Sequence, residues 1–135
     1  MALSEKARAF LEEPRFASLA TINPDGSVQQ TVMWYLIRDD HIVMNTLRGR
    51  KKDRNLLRDP RVSICVEDGL RFVSMRGAIT FVEDQRQAQA DILEMAIRYD
   101  GKEQGEKQGR DVFGKQERVS LRLPIANVIE HGFDD

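Results

Sequence analysis

The sequence predicts an antiparallel β-barrel with helices packed on its outside. Five or six segments of strand length follow one another, and most are joined by short turns that carry glycine, proline or aspartate. Two other segments carry apolar residues at the helical period. A closed barrel is favoured over an open sheet because closure removes the unpaired edges of short strands.

The strands are expected between these turn signals. The predicted strands cover residues 16–22, 28–37, 41–45, 62–67, 70–82 and 119–123, with an edge strand at 126–130. The second half of the strand at 28–37 is apolar on both faces, so we expect it to be covered on both sides. Gly77 interrupts the strand at 70–82 and indicates a bulge or a bend at a barrel corner.

Three further segments are predicted to lie outside the strands. Residues 4–13 form a helix, because Ser4 can cap it and Pro14 ends it. A second helix covers residues 83–99, where apolar residues follow the helical period. Residues 101–108 are polar and punctuated by glycine, so we expect a mobile loop there.

The most informative stretch is the basic segment at residues 43–60. It predicts a strand, a tight turn at Gly49, and a short helix that Pro60 ends, with Leu56 and Leu57 pointing into a core. The basic side chains of this segment are Arg48, Arg50, Lys51, Lys52, Arg54 and Arg58. A helix N-terminus presents free N–H groups and partial positive charge, so added cations make a seat for a phosphate. The alternative is a solvated basic helix.

Length and composition narrow the class of protein. The 135 residues favour one domain spanning residues 1–135. The 21 basic and 22 acidic side chains nearly cancel and the isoelectric point is about 6.1, which argues against a nucleic-acid partner. The single cysteine, Cys65, excludes a disulfide within the chain. With no membrane-length apolar run and no signal pattern at the N-terminus, we expect a cytoplasmic protein without a membrane partner.

Common sequence motifs for nucleotide and metal binding are absent. The chain has no glycine-rich dinucleotide fingerprint, no phosphate-binding P-loop, and no spacing typical of metal ligands. His41 and His131 have no partner pattern, so we assign no catalytic residue and no metal ligand. If the protein is an enzyme, a bound organic cofactor is expected to carry the chemistry.

Four motifs occur together in an order typical of one known superfamily. They are the hairpin Leu19-Ala20-Thr21 with Asp25-Gly26, the strand end Val32-Met33-Trp34-Tyr35, the run from Arg50 through Asp59-Pro60 to Ser63, and Arg76-Gly77-Ala78. Over about residues 10–123, the chain resembles the pyridoxamine 5′-phosphate oxidase-like proteins, the split-barrel flavin-binding superfamily. It looks most like the branch that uses the deazaflavin coenzyme F420. The resemblance implies a mainly β fold with α-helices, a split antiparallel β-barrel with flanking helices.

The resemblance also implies a homodimer with two cofactor sites at its interface. The cofactor phosphate would lie against residues 48–55, with Arg50 and Lys52 as ligands, and the ring would lie on residues 29–34. Met44 would line the neighbouring strand end, and residues 71–74 would come from the second subunit. The implied cofactor-binding residues are Gln29, Gln30, Thr31, Val32, Met33, Trp34, Asn45, Thr46, Arg48, Arg50, Lys51, Lys52, Arg54, Asn55, Arg71, Phe72, Val73 and Ser74. Read from its sequence context alone, Trp34 suits the core or a dimer contact equally well.

The implied activity is that of an oxidoreductase. Reduced coenzyme F420 would transfer a hydride to an electron-poor small organic substrate. One alternative is an oxidase or flavin reductase that binds flavin mononucleotide (FMN), and another is a non-enzymatic cofactor-binding protein. The oxidases that make pyridoxal phosphate carry an extended C-terminal segment with a substrate-binding arginine and histidine. This chain ends in HGFDD without that pattern, so their activity is not implied.

Overall fold

A computed structural model describes residues 3–134 as two antiparallel sheets with helices packed around them. In chain order the elements are α1 (Glu5–Glu12), β1 (Ala17–Ile22), β2 (Val28–Met33), β3 (Leu36–Arg38), β4 (His41–Leu47), α2 (Lys51–Arg58), β5 (Arg61–Glu67), β6 (Phe72–Ala78), β7 (Thr80–Val82), α3 (Gln85–Asp100), α4 (Lys102–Asp111), a 3₁₀ turn (Phe113–Lys115), β8 (Arg118–Pro124) and β9 (Ile129–His131). Within residues 3–134, no helix is both long and apolar enough to cross a membrane.

The two sheets form the split barrel that the sequence predicted. One sheet has the strand order β2-β1-β5-β6-β9, and the other has the order β3-β4-β8-β7. The core lies between them and includes Leu19, Ile64 and Met75 from the first sheet and Met44 and Leu121 from the second. Burying side chains of this size contributes about 1.5–3 kcal/mol each, so the packing of sheet on sheet dominates the stability.

Two of the predicted strands are wrong, because each is divided between the two sheets. The strand expected at 28–37 is interrupted at Trp34–Tyr35, where the chain passes from β2 to β3. Tyr35 is fully buried at this corner, which explains why the sequence there is apolar on both faces. The strand expected at 70–82 is interrupted at Ile79, between β6 and β7.

The bend expected near Gly77 lies two residues after it, and the glycine serves close packing. A Cβ atom at Gly77 would lie 3.1 Å from Cδ1 of Leu123 on β8. The two sheets therefore approach each other closely beside the corner at Ile79.

The two helices predicted around the N-terminus and the basic segment are confirmed. Ser4 caps α1, since its hydroxyl accepts a hydrogen bond of 3.1 Å from the Ala7 N–H. Helix α2 ends at Asp59, which is extended before Pro60. Leu57, however, is 54% exposed, and the prediction that it would be buried is wrong.

Leu57 is exposed because it lies just outside the buried face of α2. Asp53, Asn55 and Leu56 are buried and form this face. Since successive helical residues point about 100° apart, Leu57 projects about 40° beyond Asp53, on the side away from the other two buried residues.

The mobile loop expected at residues 101–108 is also wrong, because this segment is part of helix α4. Gly105 is buried against α3, and a Cβ atom on it would lie only 2.6 Å from the main-chain nitrogen of Ile97. Gly101, with φ of 89°, turns the chain between the two helices. The glycines that suggested mobility therefore serve a tight turn and a close helix contact.

Candidate functional site

A pocket of about 240 Å³ opens where β2, β4, β8 and α3 meet the N-terminus of α2. Its lining divides into a polar group and an apolar group. The polar residues are Asn45, Thr46, Arg50, Lys52 and Arg118, and the apolar residues are Val32, Met33, Trp34, Ile92, Met95 and Phe113. In the apolar group, Trp34 and Phe113 pack against Ile92 and Met95 of α3.

The three cations of the pocket lack counter-charges within the described residues. No carboxylate oxygen of residues 3–134 lies within 4.0 Å of the charged nitrogens of Arg50, Lys52 or Arg118. Lys52 Nζ instead lies 3.2 Å from the thioether sulfur of Met33, which is a weak acceptor. A group of cations without carboxylates is a strong attractor for an anionic ligand.

The electrostatic effect of this crowding appears in two pKa values. Burial, with further repulsion from Arg50 and Arg118, lowers the pKa of Lys52. Burial and repulsion from Arg50 lower the pKa of Arg118 to about 10. With a pKa of about 10, Arg118 remains protonated at neutral pH and keeps its positive charge in the pocket.

The N-terminus of α2 adds main-chain donors beside these cations. The first N–H groups of a helix have no intrahelical acceptor, and the N-cap residue Arg50 does not accept a hydrogen bond from them with its side chain. The carboxylate of Asp53 turns back to accept a hydrogen bond of 2.7 Å from the Gly49 N–H, which fixes the loop before the helix. The positive end of the helix dipole therefore lies at the pocket.

Thr46 adds a hydroxyl without a hydrogen-bond partner to the main-chain donors at the pocket. Its side chain is 2% exposed, and its hydroxyl has no hydrogen-bond partner among the described residues. A buried hydroxyl without a partner costs about 1–3 kcal/mol, which a bound acceptor would recover. The donors of this site thus fit the phosphate of a cofactor.

Seven of the cofactor-binding residues implied by the sequence line this pocket. They are Val32, Met33, Trp34, Asn45, Thr46, Arg50 and Lys52. Val32 is 69% exposed although it lines the pocket, whereas Met33 and Thr46 are buried.

Several other implied residues have internal partners and do not line the pocket. Arg48 pairs with Glu83 at 2.7 Å, and its second partner is Asp53 at 3.5 Å. Arg54 donates a hydrogen bond of 2.9 Å to the main-chain oxygen of Gly49. Asn55 is buried and binds the side chains of the β1–β2 hairpin. These three residues hold the loop and helix in place in the single chain.

The remaining implied residues lie elsewhere in the single chain. Lys51 is exposed on the first turn of α2, and residues 29–31 lie earlier on β2. Residues 71–74 belong to the start of β6 and the turn before it, and Val73 is fully buried in the core. The expectation that residues 71–74 reach the cofactor of a second subunit concerns a dimer and stays a prediction.

Sequence reasoning missed the pocket residues that come late in the chain. Ile92 and Met95 lie on α3, Phe113 follows α4, and Arg118 begins β8. The antiparallel register of β4 and β8, which pairs Leu47 with Arg118, carries that arginine to the site. The alternation of polar and apolar residues in β8 predicts a strand. The location of Arg118 at the pocket, however, follows only from knowing that β8 pairs with β4.

In the part of the chain that the structure describes, no group of three or more histidine, cysteine, aspartate or glutamate residues is placed to hold a metal ion.

Comparisons with known structures show that other proteins share this fold. The chain is 31% identical to the conserved hypothetical protein Rv2991 of Mycobacterium tuberculosis, with 97% of this chain and 86% of that chain covered and a TM-score of 0.81. It is 25% identical to an F420 reductase, with 94% and 98% covered and a TM-score of 0.76. The heme storage protein HutZ of Vibrio cholerae shares the fold at 20% identity, with 98% and 97% covered and a TM-score of 0.73. No curated protein matches the chain.

The family comparison covers nearly the whole described chain. The sequence profile described as "Pyridoxamine 5'-phosphate oxidase" matches residues 3–129, which span every element from α1 to the start of β9. This match includes the pocket, the basic segment and both sheets. The chain therefore belongs to the pyridoxamine 5′-phosphate oxidase family.

Proposed function

We propose that this protein is an oxidoreductase that binds coenzyme F420 in the pocket between β2, β4 and the N-terminus of α2. The bound cofactor would supply the hydride that reduces an electron-poor small organic substrate. One observation carries the proposal: Arg50, Lys52 and Arg118 lie at one pocket without a carboxylate partner among the described residues. The likeness to an F420 reductase at 25% identity supports the choice of cofactor.

The residues of the chain have separate roles in this proposal. Arg50, Lys52 and the free N–H groups of α2 bind the phosphate. The Thr46 hydroxyl, which has no partner among the described residues, donates a hydrogen bond to the same ligand. Residues 32–34 form the wall beside the ring, and the apolar group around Phe113 excludes water. The protein positions the cofactor and the substrate against each other, and the hydride transfer needs no side chain as acid or base.

The proposal includes a homodimer in which residues 71–74 of the second subunit complete the site. Exposed apolar side chains on β2 support it, since Val28 is 60% and Val32 is 69% exposed. Light scattering coupled to gel filtration would test the dimer, and a monomer at micromolar concentration would contradict it.

FMN is the second candidate cofactor. A helix N-terminus with three cations suits its terminal phosphate as well as that of coenzyme F420. The same fold would then act as an oxidase or a flavin reductase.

A fluorescence titration of the cofactor-free protein with coenzyme F420 and FMN, side by side, tests the proposal. Tighter binding of F420, followed by oxidation of its reduced form with unsaturated carbonyl compounds, would support the reductase. Tighter binding of FMN would replace it with the second candidate. Binding of F420 without turnover of any acceptor would favour a carrier, and binding of neither would contradict the proposed site.

A further inference from the structure

Arg118 is a buried cation whose charge no carboxylate meets within residues 3–134. Its side chain is 7% exposed at the start of β8, where it lines the pocket. Removing a charge from water is costly unless an opposite charge or several hydrogen bonds replace the water. The described chain gives Arg118 hydrogen bonds but no opposite charge, so an anion that enters the pocket would stabilise this arginine further.

The guanidinium group of Arg118 is held in one orientation. Its Nε donates a hydrogen bond of 2.9 Å to Oδ1 of Asn45, and its Nη1 donates one of 2.8 Å to Oε1 of Gln116. The ring of Phe113 lies 4.9 Å from the guanidinium carbon. No described residue accepts a hydrogen bond from Nη2, so this nitrogen remains available to a ligand in the pocket.

Asn45 is itself oriented by a buried relay. Its Nδ2 donates to the main-chain oxygen of Ala88 at 2.9 Å and to the hydroxyl of Ser120 at 3.1 Å. The Ser120 hydroxyl in turn donates a hydrogen bond of 2.6 Å to Oδ2 of Asp91. Because both donors of the Asn45 amide are engaged, its oxygen must face Arg118.

Asp91 orients the side chains of this relay but does not form an ion pair with Arg118. Its Oδ1 is already paired with Arg38 at 2.7 Å and accepts a hydrogen bond of 2.8 Å from Gln87. Two neutral side chains, Ser120 and Asn45, separate it from Arg118. The relay therefore fixes the guanidinium without neutralising it.

We propose that Arg118 is an anion-binding residue of this pocket, and that the relay Asp91–Ser120–Asn45 positions it to take a phosphate or a carboxylate group. This inference rests on the proposed function and deepens it, because it assigns a ligand and a supporting relay to one of the three cations of that pocket. It does not depend on which cofactor binds. The anionic group has two possible sources, the phosphate of the cofactor or a carboxylate of the substrate.

Trp34 makes the test direct, because it is the single tryptophan of the chain and lines the same pocket. Its fluorescence would be followed while the purified protein is titrated with inorganic phosphate and, separately, with benzoate. The variant Arg118→Met keeps the apolar stem and removes the charge. Arg122→Met is the matched control, since Arg122 lies on the same strand and is exposed.

We expect Arg118→Met to weaken binding of at least one anion about tenfold, while Arg122→Met binds like the unchanged protein. Loss of phosphate affinity would assign Arg118 to the cofactor phosphate, and loss of benzoate affinity alone would assign it to a substrate carboxylate. Unchanged affinity for both anions would overturn the proposal, as would absence of binding to the unchanged protein. A protein that binds phosphate through Arg118 but neither cofactor would disprove only the proposed function.

A second variant covers the case in which Arg118→Met does not fold. Gln116→Glu places a carboxylate next to Arg118 and supplies a counter-charge within the chain. Oε1 of the half-buried Gln116 already accepts a hydrogen bond of 2.8 Å from Nη1 of Arg118, and the Gln116 side chain donates none to the described residues. We expect it to weaken phosphate binding about tenfold while its unfolding temperature stays within a few degrees of the original. Phosphate affinity equal to that of the unchanged protein would count against the proposal.

The positioning role of the relay is tested by a double-mutant cycle. Ser120→Ala removes the link between Asp91 and Asn45 without changing any charge. We expect it to weaken phosphate binding several-fold in the original protein and to have no further effect in Arg118→Met. Equal effects in both backgrounds would show a merely structural role and overturn the relay.

Discussion

The rings of Trp34 and Tyr99 stack with their centroids 5.2 Å apart and their planes inclined by only 6°. Tyr99 lies near the end of α3, and its hydroxyl donates to the main-chain oxygen of Arg15. Trp34 marks the corner between β2 and β3. The stack therefore ties a helix to the point at which the chain changes sheets and fixes one wall of the pocket.

We expect Tyr99→Leu to lower the free energy of unfolding by about 1–2 kcal/mol, through loss of the aromatic pair and of its hydrogen bond. It should also shift the emission of Trp34 to longer wavelength, because the ring becomes more accessible to water. Tyr99→Phe is the control that keeps the stack. Chemical denaturation and emission spectra measure both effects, and an unshifted spectrum for Tyr99→Leu would contradict this prediction.

Lys52→Ala is expected to weaken cofactor binding at least tenfold. A charge-assisted contact to phosphate contributes about 1.5–3 kcal/mol. Among the described residues, the Lys52 ammonium has only the Met33 sulfur, a weak acceptor, as a hydrogen-bond partner. Lys107→Ala, on the exposed face of α4, provides a control of equal charge change. An unchanged dissociation constant for Lys52→Ala would remove Lys52 from the site.

Anion binding should weaken in alkaline solution as Lys52 loses its proton. Burial and the neighbouring arginines lower the pKa of Lys52 below its ordinary value of 10.5. Between the lowered pKa and 10.5, the folded protein binds fewer protons than the unfolded chain. The contribution of Lys52 to the free energy of unfolding therefore rises with pH in this window, whereas the affinity for an anion falls.

Sulfate is the suitable probe for this pH dependence, because its charge is constant throughout that range. We expect its dissociation constant to increase as the pH rises through the lowered pKa of Lys52. Lys52→Arg retains its charge there and should lose less affinity. An equal alkaline loss in both proteins would assign the titration to another group.

Gly105→Ala is expected to destabilise the protein by about 1–3 kcal/mol. The added Cβ atom would lie 2.6 Å from the main-chain nitrogen of Ile97, so α3 and α4 would have to separate. Gly109→Ala lies on the same helix but meets only Cδ1 of Leu93, at 3.0 Å, which can rotate away. Thermal unfolding should show a clear loss for Gly105→Ala and little change for Gly109→Ala, and equal losses would contradict this reason.

Elements fixed by local chemistry were predictable from the sequence. The Ser4 cap, the tight turn at Gly49 and the end of α2 before Pro60 each depend on residues that are adjacent in the chain. The basic segment belongs to the same class, because its turn and helix lie within residues 43–60.

Features that depend on distant partners were not predictable from pattern alone. The chain changes sheets at Tyr35, but both sides of this corner are buried. The sequence there is therefore apolar and looks like that of one continuous strand. Helix α4 was not predicted because Gly105 has a low intrinsic helix propensity. Packing of Gly105 against α3 outweighs this low propensity in the structure. Arg118 reaches the site through strand pairing with a segment more than 70 residues earlier.

Phe113 lies on a different part of the chain from the residues that give the pocket its positive charge. The cations and Thr46 belong to the strands and to α2, whereas Phe113 comes from the 3₁₀ turn after α4, in a segment that packs chiefly on α3. That helical hairpin can lengthen, shorten or change its side chains while the register of β4 and β8 stays the same. Under the proposed function, an exchange of this cover would change which substrates fit, while the cations that would bind the phosphate stay in place.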